Sequence, residues 1–319
     1  MNNYMDIDAL MTLMAPAEQT RQVMQVPGHR IDGAAPGCYA MEITDDVYHG
    51  QCTGASSSAL KKLLRSPAHY RAYQSAPDRD SSARMFGRAV HTLLLERHLY
   101  REHFAVWNGG RRDGKKYEEF EAANPGRTIL TEDEHHRAME AALSLRSNTQ
   151  FPMGLWLDGV AASGEFDAIA PARTEFSIFW IDEETGLSCK ARIDAHNLSP
   201  TPMAADVKTT DDARPSAFSH QVFKLDYDLQ AAHYRAALKA FYDQEFPFLF
   251  AVVESKAPHA STILGMDQDV LKNGEAKRRF ALNLLKKCQD ANSWPAYELE
   301  GIPEIYLPFY GRFSGSAES

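Results

Sequence analysis

Cysteine is scarce in this 319-residue sequence: Cys38, Cys52, Cys189 and Cys288 stand far apart, with no CxxC and no Cys/His spacing. That excludes a disulfide-stapled secreted scaffold and a zinc motif, and leaves four reduced thiols as the expectation. Long apolar runs are missing too. The longest, such as Phe246–Val253, fall far short of the ~20 residues a membrane helix needs. The opening MNNYMDIDAL has no basic stretch leading into an apolar run, so no secretory signal is expected and a cytoplasmic protein is. Internal repeats are absent, and the GSAES ending reads as a flexible tail over residues 311–319. Positive charge is the minority: 34 Lys and Arg face 43 Asp and Glu, a net charge of −9. Such a field repels nucleic acid and anionic membranes, so any contact with DNA must run through a local basic lining.

What is present is an ordinary globular balance of 44% hydrophobic, 24% charged and 10% aromatic residues. The chain is long enough to bury a core without metal or disulfide. Residues 1–54, rich in Met, Pro and Gly and without periodicity, read as an irregular N-terminal arm, and residues 55–310 as one domain. Ser56-Ser57-Ser58 caps a helix over 59–65, and Ser66-Pro67 ends it and starts another over 68–74. Helical spacing returns over 82–96, with Met85, Val90, Leu93 and Leu94 on one stripe, and again over 116–123 and 131–147. Residues 159–170, 175–181, 187–196 and 203–208 read as strands, with the turn Asp182–Gly186 between the second and third. A helix over 226–244, strands over 248–254 and 261–266, and a closing helix over 269–289 follow. This order predicts an α/β fold, a central mixed β-sheet flanked by helices, and not the regular βαβα alternation of a dinucleotide fold.

As a strand, 187–196 puts Lys190, Arg192 and Asp194 on one face, with Cys189, Ala191 and Ile193 on the other. In Asp206-Val207-Lys208 the acid and the base share a face, and Val207 points into the core. Two adjacent strands then present two carboxylates and two or three cations to one cleft. Carboxylates so close are costly unless something positive lies between them, and all-oxygen ligation favours Mg2+ or Mn2+ over Zn2+. Asp194, a spacer of eleven residues, then Asp206-x-Lys208 is the PD-(D/E)xK pattern. In it the carboxylates hold a metal that polarises the scissile phosphate and generates hydroxide, while the lysine orients the attacking water and offsets developing charge. Alone the pattern is weak, since DxK occurs by chance and a solvated strand face would look the same. His91, within Gly87–Glu96, is either a satisfied core histidine or a functional group on an apolar helix. Gln230 and Tyr234, four apart on one helix face, are either amphipathic surface residues or a QxxxY pair. Lys277-Arg278-Arg279 reads as a solvated helix face.

The wording GRAVHTLLLE, TGLSCKARIDAHN, ADVKTTDDA and NSWPAY, in that order within Ser56–Tyr297, resembles the nuclease domain of the exonuclease VIII (RecE) family, in the RecB-like branch of the PD-(D/E)xK nucleases. The resemblance implies that His91, Asp194 and Asp206 are metal ligands, that Val207 offers its backbone carbonyl to the metal, and that Lys208 is the catalytic lysine. Gln230 and Tyr234 would support the site or the DNA backbone. Glu175 matches an acidic position of the family, although an exposed strand-end Glu is the simpler account. Thr209 and Thr210 either bond phosphate oxygens or cap the next segment, and His49 and Ser57 carry no assigned chemistry. The family implies Mg2+, with Mn2+ as the alternative, and double-stranded DNA ends as substrate, digested 5′→3′ to leave a 3′ single strand for a RecT-type annealing protein. It also implies a homo-oligomeric ring, a tetramer by resemblance, whose lumen alone need be basic. Arg84 and Arg88 are the leading candidates for DNA contact; Lys61, Lys62, Arg65, Arg111, Arg112, Lys115 and Lys116 are either lining or ordinary solvated charges. Relatives with an iron–sulfur cluster place three cysteines after the nuclease motifs, whereas only Cys288 follows here, so no cluster is expected. An endonuclease or single-strand nuclease of the same fold, or a non-catalytic DNA-binding scaffold, are the competing readings. Intact Asp194, Asp206 and Lys208 argue against the last.

Overall fold

Short polar side chains start four of the main helices: Ser56, Ser81, Thr131 and Asp267 each accept the backbone N–H three residues on. Each such cap stabilises its helix by about 1 kcal/mol, and Thr131 with Glu134 forms a reciprocal capping box. The structure, a computed structural model, describes residues 30–75, 81–161, 168–199 and 201–297. In chain order come β1 (Arg30–Asp32), β2 (Tyr39–Met41), α1 (Ser57–Arg65), α2 (Pro67–Ser75), α3 (Ser82–Leu95), β3 (Phe104–Trp107), α4 (Lys115–Ala122) and β4 (Thr128–Thr131). After α5 (Glu132–Arg146) follow β5 (Arg173–Ile181), β6 (Ser188–Asn197) and β7 (Met203–Thr210). Then come α6 (Pro215–Lys224), α7 (Tyr227–Tyr242), β8 (Phe248–Glu254), β9 (Ser261–Gly265) and α8 (Gln268–Ala291). Shorter helical turns lie between these, among them Asp45–Gly50 and Met153–Asp158.

Seven strands make one mixed sheet in the order β1-β2-β5-β6-β7-β8-β9. Every neighbouring pair is antiparallel except β7 and β8, whose parallel pairing needs the crossover that α6 and α7 supply. One face buries Ile178, Trp180, Cys189, Ile193, Phe248 and Phe250 against Leu60 and Leu63 of α1, Leu229 and Leu238 of α7, and Leu282 and Leu285 of α8. The other buries Ala195, Ala205, Val207, Ala251 and Val253 against Val90 and Leu93 of α3 and Ala138 and Ala142 of α5. The α/β fold with a central mixed sheet is therefore as the sequence predicts.

Three details differ. Residues 30–54, read as part of an irregular arm, carry β1, β2 and a helical turn, and β2 pairs with β5 to extend the main sheet. Residues 1–29 and 298–319, with the supposed tail, lie outside the described residues, as does the middle of the expected 159–170 strand; at its ends Val160 and Ile169 form one antiparallel bridge. The Lys277-Arg278-Arg279 run is not a solvated face. Lys277 binds Asp226 at 2.7 Å and Asp228 at 3.1 Å, and Arg278 and Arg279 converge on buried Asp182. Burial pushes the Asp182 carboxyl up, but hydrogen bonds from Arg279 and Thr185 outweigh it and hold the group at about 2. The run staples α8 to the β5–β6 turn and to the start of α7.

Candidate active site

Strands β6 and β7 hydrogen-bond over only three residue pairs: Ala195 with Ala205, His196 with Ala204, and Asn197 with Met203. Beyond these they part, although β6 runs back to Ser188 and β7 on to Thr210. The first positions past the junction are Asp194 and Asp206. Asp194 Oδ2 accepts the Val207 backbone N–H at 2.8 Å, so a carboxylate replaces the strand carbonyl that the splaying removes. On the far side of the split, Ala55 bridges in parallel to Cys189. Gly54 permits that approach: its φ is 132°, and a Cβ there would stand 3.1 Å from the Cys189 carbonyl carbon. His233 of α7 sits behind, its Nε2 3.1 Å from the Ala55 and Lys190 carbonyls.

Side chains from three helices fill the split. Asp206, wholly buried, meets the Lys208 ammonium through Oδ2 and accepts the Gln230 amide N–H on Oδ1 at 2.8 Å. The second N–H of that amide donates to the Tyr234 hydroxyl at 3.2 Å, and its Oε1 accepts from Lys61 of α1 at 2.8 Å. Every polar atom of Gln230 is thereby engaged, which fixes the amide's orientation. The Lys61 and Lys208 ammonium groups lie 4.7 and 4.9 Å from the centroid of the Tyr227 ring. From α3, His91 donates through Nε2–H to the Val207 carbonyl at 2.8 Å, and its Nδ1 stands 3.6 Å from Asp194 Oδ2.

The electrostatics follow from burial and crowding. Burial and the neighbouring Asp194 charge push the Asp206 carboxyl up, against the pull of Lys208. Burial likewise raises Asp194, against His91 and Lys208. Lys208 loses solvation, but the charges of Asp206 and Asp194 outweigh that loss and raise it, keeping it charged. Lys61 moves the other way, lowered by burial and by the Lys208 charge. The Tyr234 hydroxyl is held protonated by burial and both aspartates.

Among the described residues, no three His, Cys, Asp or Glu side chains close into a ready-made metal cage. The donor set nevertheless fits a hard divalent cation. Asp206 Oδ2 is buried, and the Lys208 ammonium is its only partner among the described residues. Because the Val207 carbonyl can only accept, His91 carries a proton on Nε2, and Nδ1 is the ring atom that faces the Asp194 carboxylate. Two carboxylates buried at one junction disfavour each other's ionised forms, and a bound cation would offset that cost alongside Lys208. A few protein oxygens with room for water and phosphate suit Mg2+ or Mn2+.

Not every residue singled out by the sequence reaches this junction. Lys190 and Arg192 share the strand face of Asp194 but are tied elsewhere: Lys190 donates to the Tyr48 and Cys52 carbonyls, and Arg192 to Glu175 and the Ile43 carbonyl. Glu175 is not an exposed strand end. Its carboxylate is largely buried on Arg192, burial raises it, and its backbone takes a left-handed φ of 49° between the Thr174–Ala195 and Phe176–Ile193 pairs, directly beside Asp194. Non-glycine residues hold that conformation at a cost of about 1–3 kcal/mol and cluster at functional sites. The Thr210 hydroxyl is engaged by Asp212 and Gln221, closing the turn after β7, and Thr209 Oγ1 turns to Gly87 of α3. Arg84 and Arg88 are exposed on α3, where Arg88 donates to Thr128 Oγ1 at 3.0 Å. His49 pairs with Asp45 on the surface. Tyr227 was not anticipated, although it lies three residues before Gln230 and so on the same helix face.

Two acids flanking the point where neighbouring strands diverge, with a lysine two residues beyond the second, define the PD-(D/E)xK class of nuclease folds. The sequence matches, over residues 56–301, the family described as PDDEXK-like domain of unknown function (DUF3799), and the chain belongs to that family. A solved structure from Eubacterium rectale, described as a “putative exonuclease”, shares 14% identity and a TM-score of 0.54, over 83% of this chain and 96% of its own. That likeness is one of fold. No curated protein matches the sequence. Family and fold place the chain in the PD-(D/E)xK nuclease superfamily, whose members generally depend on a divalent metal, and not in the exonuclease VIII group in particular.

Proposed function

We propose that the protein is a divalent-metal-dependent exonuclease that removes nucleotides 5′→3′ from the ends of double-stranded DNA and leaves a 3′ single strand. One observation carries the reading: Asp194 and Asp206 stand, buried, at the first positions past the junction of the split strands, with the Lys208 ammonium on Asp206. Exonucleolytic action is supported by the sequence resemblance and by the description of the Eubacterium rectale structure, and the 5′→3′ polarity by the resemblance alone.

In this reading Asp194, Asp206, His91 and the Val207 carbonyl would hold the cation, Mg2+ or Mn2+. When bound, it neutralises charge on the scissile phosphate and acidifies a water. The chain's own residues do the remaining work. Lys208, kept charged by its two carboxylate neighbours, orients the attacking water and balances charge developing on the phosphate oxygens. Gln230 holds Asp206 in one rotamer, with Lys61 fixing the amide and Tyr234 receiving its second N–H. Arg84 and Arg88 would contact the DNA backbone from α3; Thr209 and Thr210, turned inward, would not. A cytoplasmic homo-oligomeric ring, a tetramer, would confine the basic lining to its lumen, and a RecT-type annealing protein would take up the 3′ strand.

The test is a linear duplex labelled at one end, incubated with Mg2+ or with EDTA beside a closed circle. Mg2+-dependent loss of the 5′ label, with a 3′ strand accumulating and the circle intact, is the expected result. Cutting of the circle would replace the reading with an endonuclease, and no cleavage with Mg2+, Mn2+ or Ca2+ with a scaffold.

A further inference from the structure

Strands β5 and β6 turn over at one level. Phe176, Ile178 and Trp180 of β5 and their partners Ile193, Ala191 and Cys189 of β6 all face the core under α1, α7 and α8. Alternation would send the next odd residue of β6, Ala195, the same way, but it lies in the opposite core with Ala205 and Val207. His196 takes its place, with its ring against Phe176 and Phe246. β5 reverses in step: the Arg173 guanidinium lies 5.2 Å over the Phe176 ring, although residues three apart on a regular strand face opposite ways. Between the two levels stand Glu175 and Asp194, the one facing couple missing from a register that otherwise runs from Arg173–His196 to Ile181–Ser188.

Glu175 carries the reversal in its backbone. Among the described residues, Asp226, Asp243, His259 and Asn292 share its left-handed φ, but they lie at helix ends or in a loop. They are also Asp, Asn or His, the side chains that tolerate this conformation best. Glu175 alone adopts it within a strand. Arg192, opposite Ser177 and so diagonal to Glu175, holds it there. Its Nε donates to Glu175 Oε2 at 2.7 Å and its Nη1 to the Ile43 carbonyl at 2.8 Å.

The reversal matters because of where Asp194 has to reach. A strand N–H points along the plane of its sheet, whereas regular side chains stand perpendicular to that plane. Asp194 Oδ2 nevertheless accepts the Val207 N–H at 2.8 Å. A strand that turns over just after Asp194 swings that side chain from the face of the sheet to its edge, toward β7. We infer that Glu175 is a positioning residue for the candidate metal site, its backbone turning the strands over so that the Asp194 carboxylate enters the β6–β7 split. Glu175 itself is not a ligand. The inference rests on the nuclease reading for what Asp194 binds.

The experiment titrates the full-length protein with Mn2+ alone, reading free Mn2+ by electron paramagnetic resonance below the melting temperature, with circular dichroism alongside. Asp194→Asn is the reference for a lost ligand. Glu175→Gln keeps an acceptor for Arg192 and is expected to bind within about threefold of the parent, while Glu175→Val, which resists a positive φ, binds about 10- to 100-fold more weakly. Glu175→Gly lacks the carboxylate just as Val does, but it adopts the conformation freely and is expected to recover about tenfold or more of that loss. In Mn2+-supported cleavage kcat should fall in Glu175→Val, with KM for the duplex within about twofold of the parent. Gly as weak as Val would overturn the backbone role, and Gln as weak as Asp194→Asn would make Glu175 a ligand instead. Variants that melt earlier yet bind Mn2+ like the parent would reduce Glu175 to a structural residue. A parent that binds no Mn2+, or an Asp194→Asn that binds as well as the parent, would overturn the metal reading and this inference together. Should Glu175→Val not fold, Glu175→Ala against Glu175→Gly makes the same comparison, since Ala also disfavours the left-handed region.

Discussion

Gln230 shows how much of this site is settled by single side chains: one amide links a lysine, an aspartate and a tyrosine from three elements. Asp194 is under the opposite tension, since burial makes its ionised form costly and only the Val207 N–H, His91 and Lys208 favour it. Asp194→Asn keeps an acceptor for that N–H and removes the buried charge. Its melting temperature is expected to equal or exceed the parent's, while Mg2+-dependent cleavage falls by at least about 10²-fold; a clear drop in melting temperature would contradict it. His233 makes a pH prediction. Burial, with a smaller push from Arg278, lowers its imidazole to about 3 against an ordinary 6.5. A depressed folded value means the unfolded chain binds the extra proton, so the contribution to stability is present above pH 6.5 and is lost as pH falls toward 3. Denaturation midpoints between pH 7 and pH 5 should fall less steeply in His233→Gln, by up to about 1.4 kcal/mol per pH unit. At this scale the sequence is legible where spacing alone fixes the outcome: Asp194, Asp206 and Lys208 lie where strand alternation puts them. Glu175 is not, because its burial depends on Arg192 from the next strand and on a backbone conformation that no local pattern announces.

Among the elements, the long helices and central strands were readable from periodicity, with ends shifted by a few residues. The pieces that escaped have physical reasons. Strands β1 and β2 are three residues each, too short to show alternation. β3 and β4 are four each and pair in parallel across the intervening α4. α6 left a fainter trace, Pro215 in its first turn and buried Phe218 and Val222 four apart. The packing of α8 on the start of α7 gives a sharper prediction. Gly274 leaves no room for a side chain, since any Cβ would run into the Asp228 backbone carbonyl. Gly274→Val is expected to destabilise the fold by roughly 1–3 kcal/mol. Because Gln230 lies two residues beyond Asp228, cleavage should fall further than the folded fraction accounts for, as activity measured beside circular dichroism would show.

For the whole molecule, charge and assembly are the quantities to weigh. The proposed ring predicts a solution mass by light scattering of four times 35.7 kDa; a monomer mass at all concentrations would remove the ring and with it the explanation of how an acidic protein threads DNA. The sequence carried the net charge openly but not where the positive side chains gather, since Lys61, Lys62, Arg65, Arg84 and Lys224 come from three separate helices. The three-pair junction between β6 and β7 has a mechanical meaning as well. Asp194 rides with the antiparallel half of the sheet, and Asp206 with the half that contains β8 and β9. The two carboxylates are thus the jaws of a caliper whose pivot is Ala195 against Ala205, both buried under α3 and α5. Swelling the pivot, as in Ala205→Val, should change the opening of the jaws without touching either acid, and the ratio of Mn2+-supported to Mg2+-supported cleavage is where that change would be read.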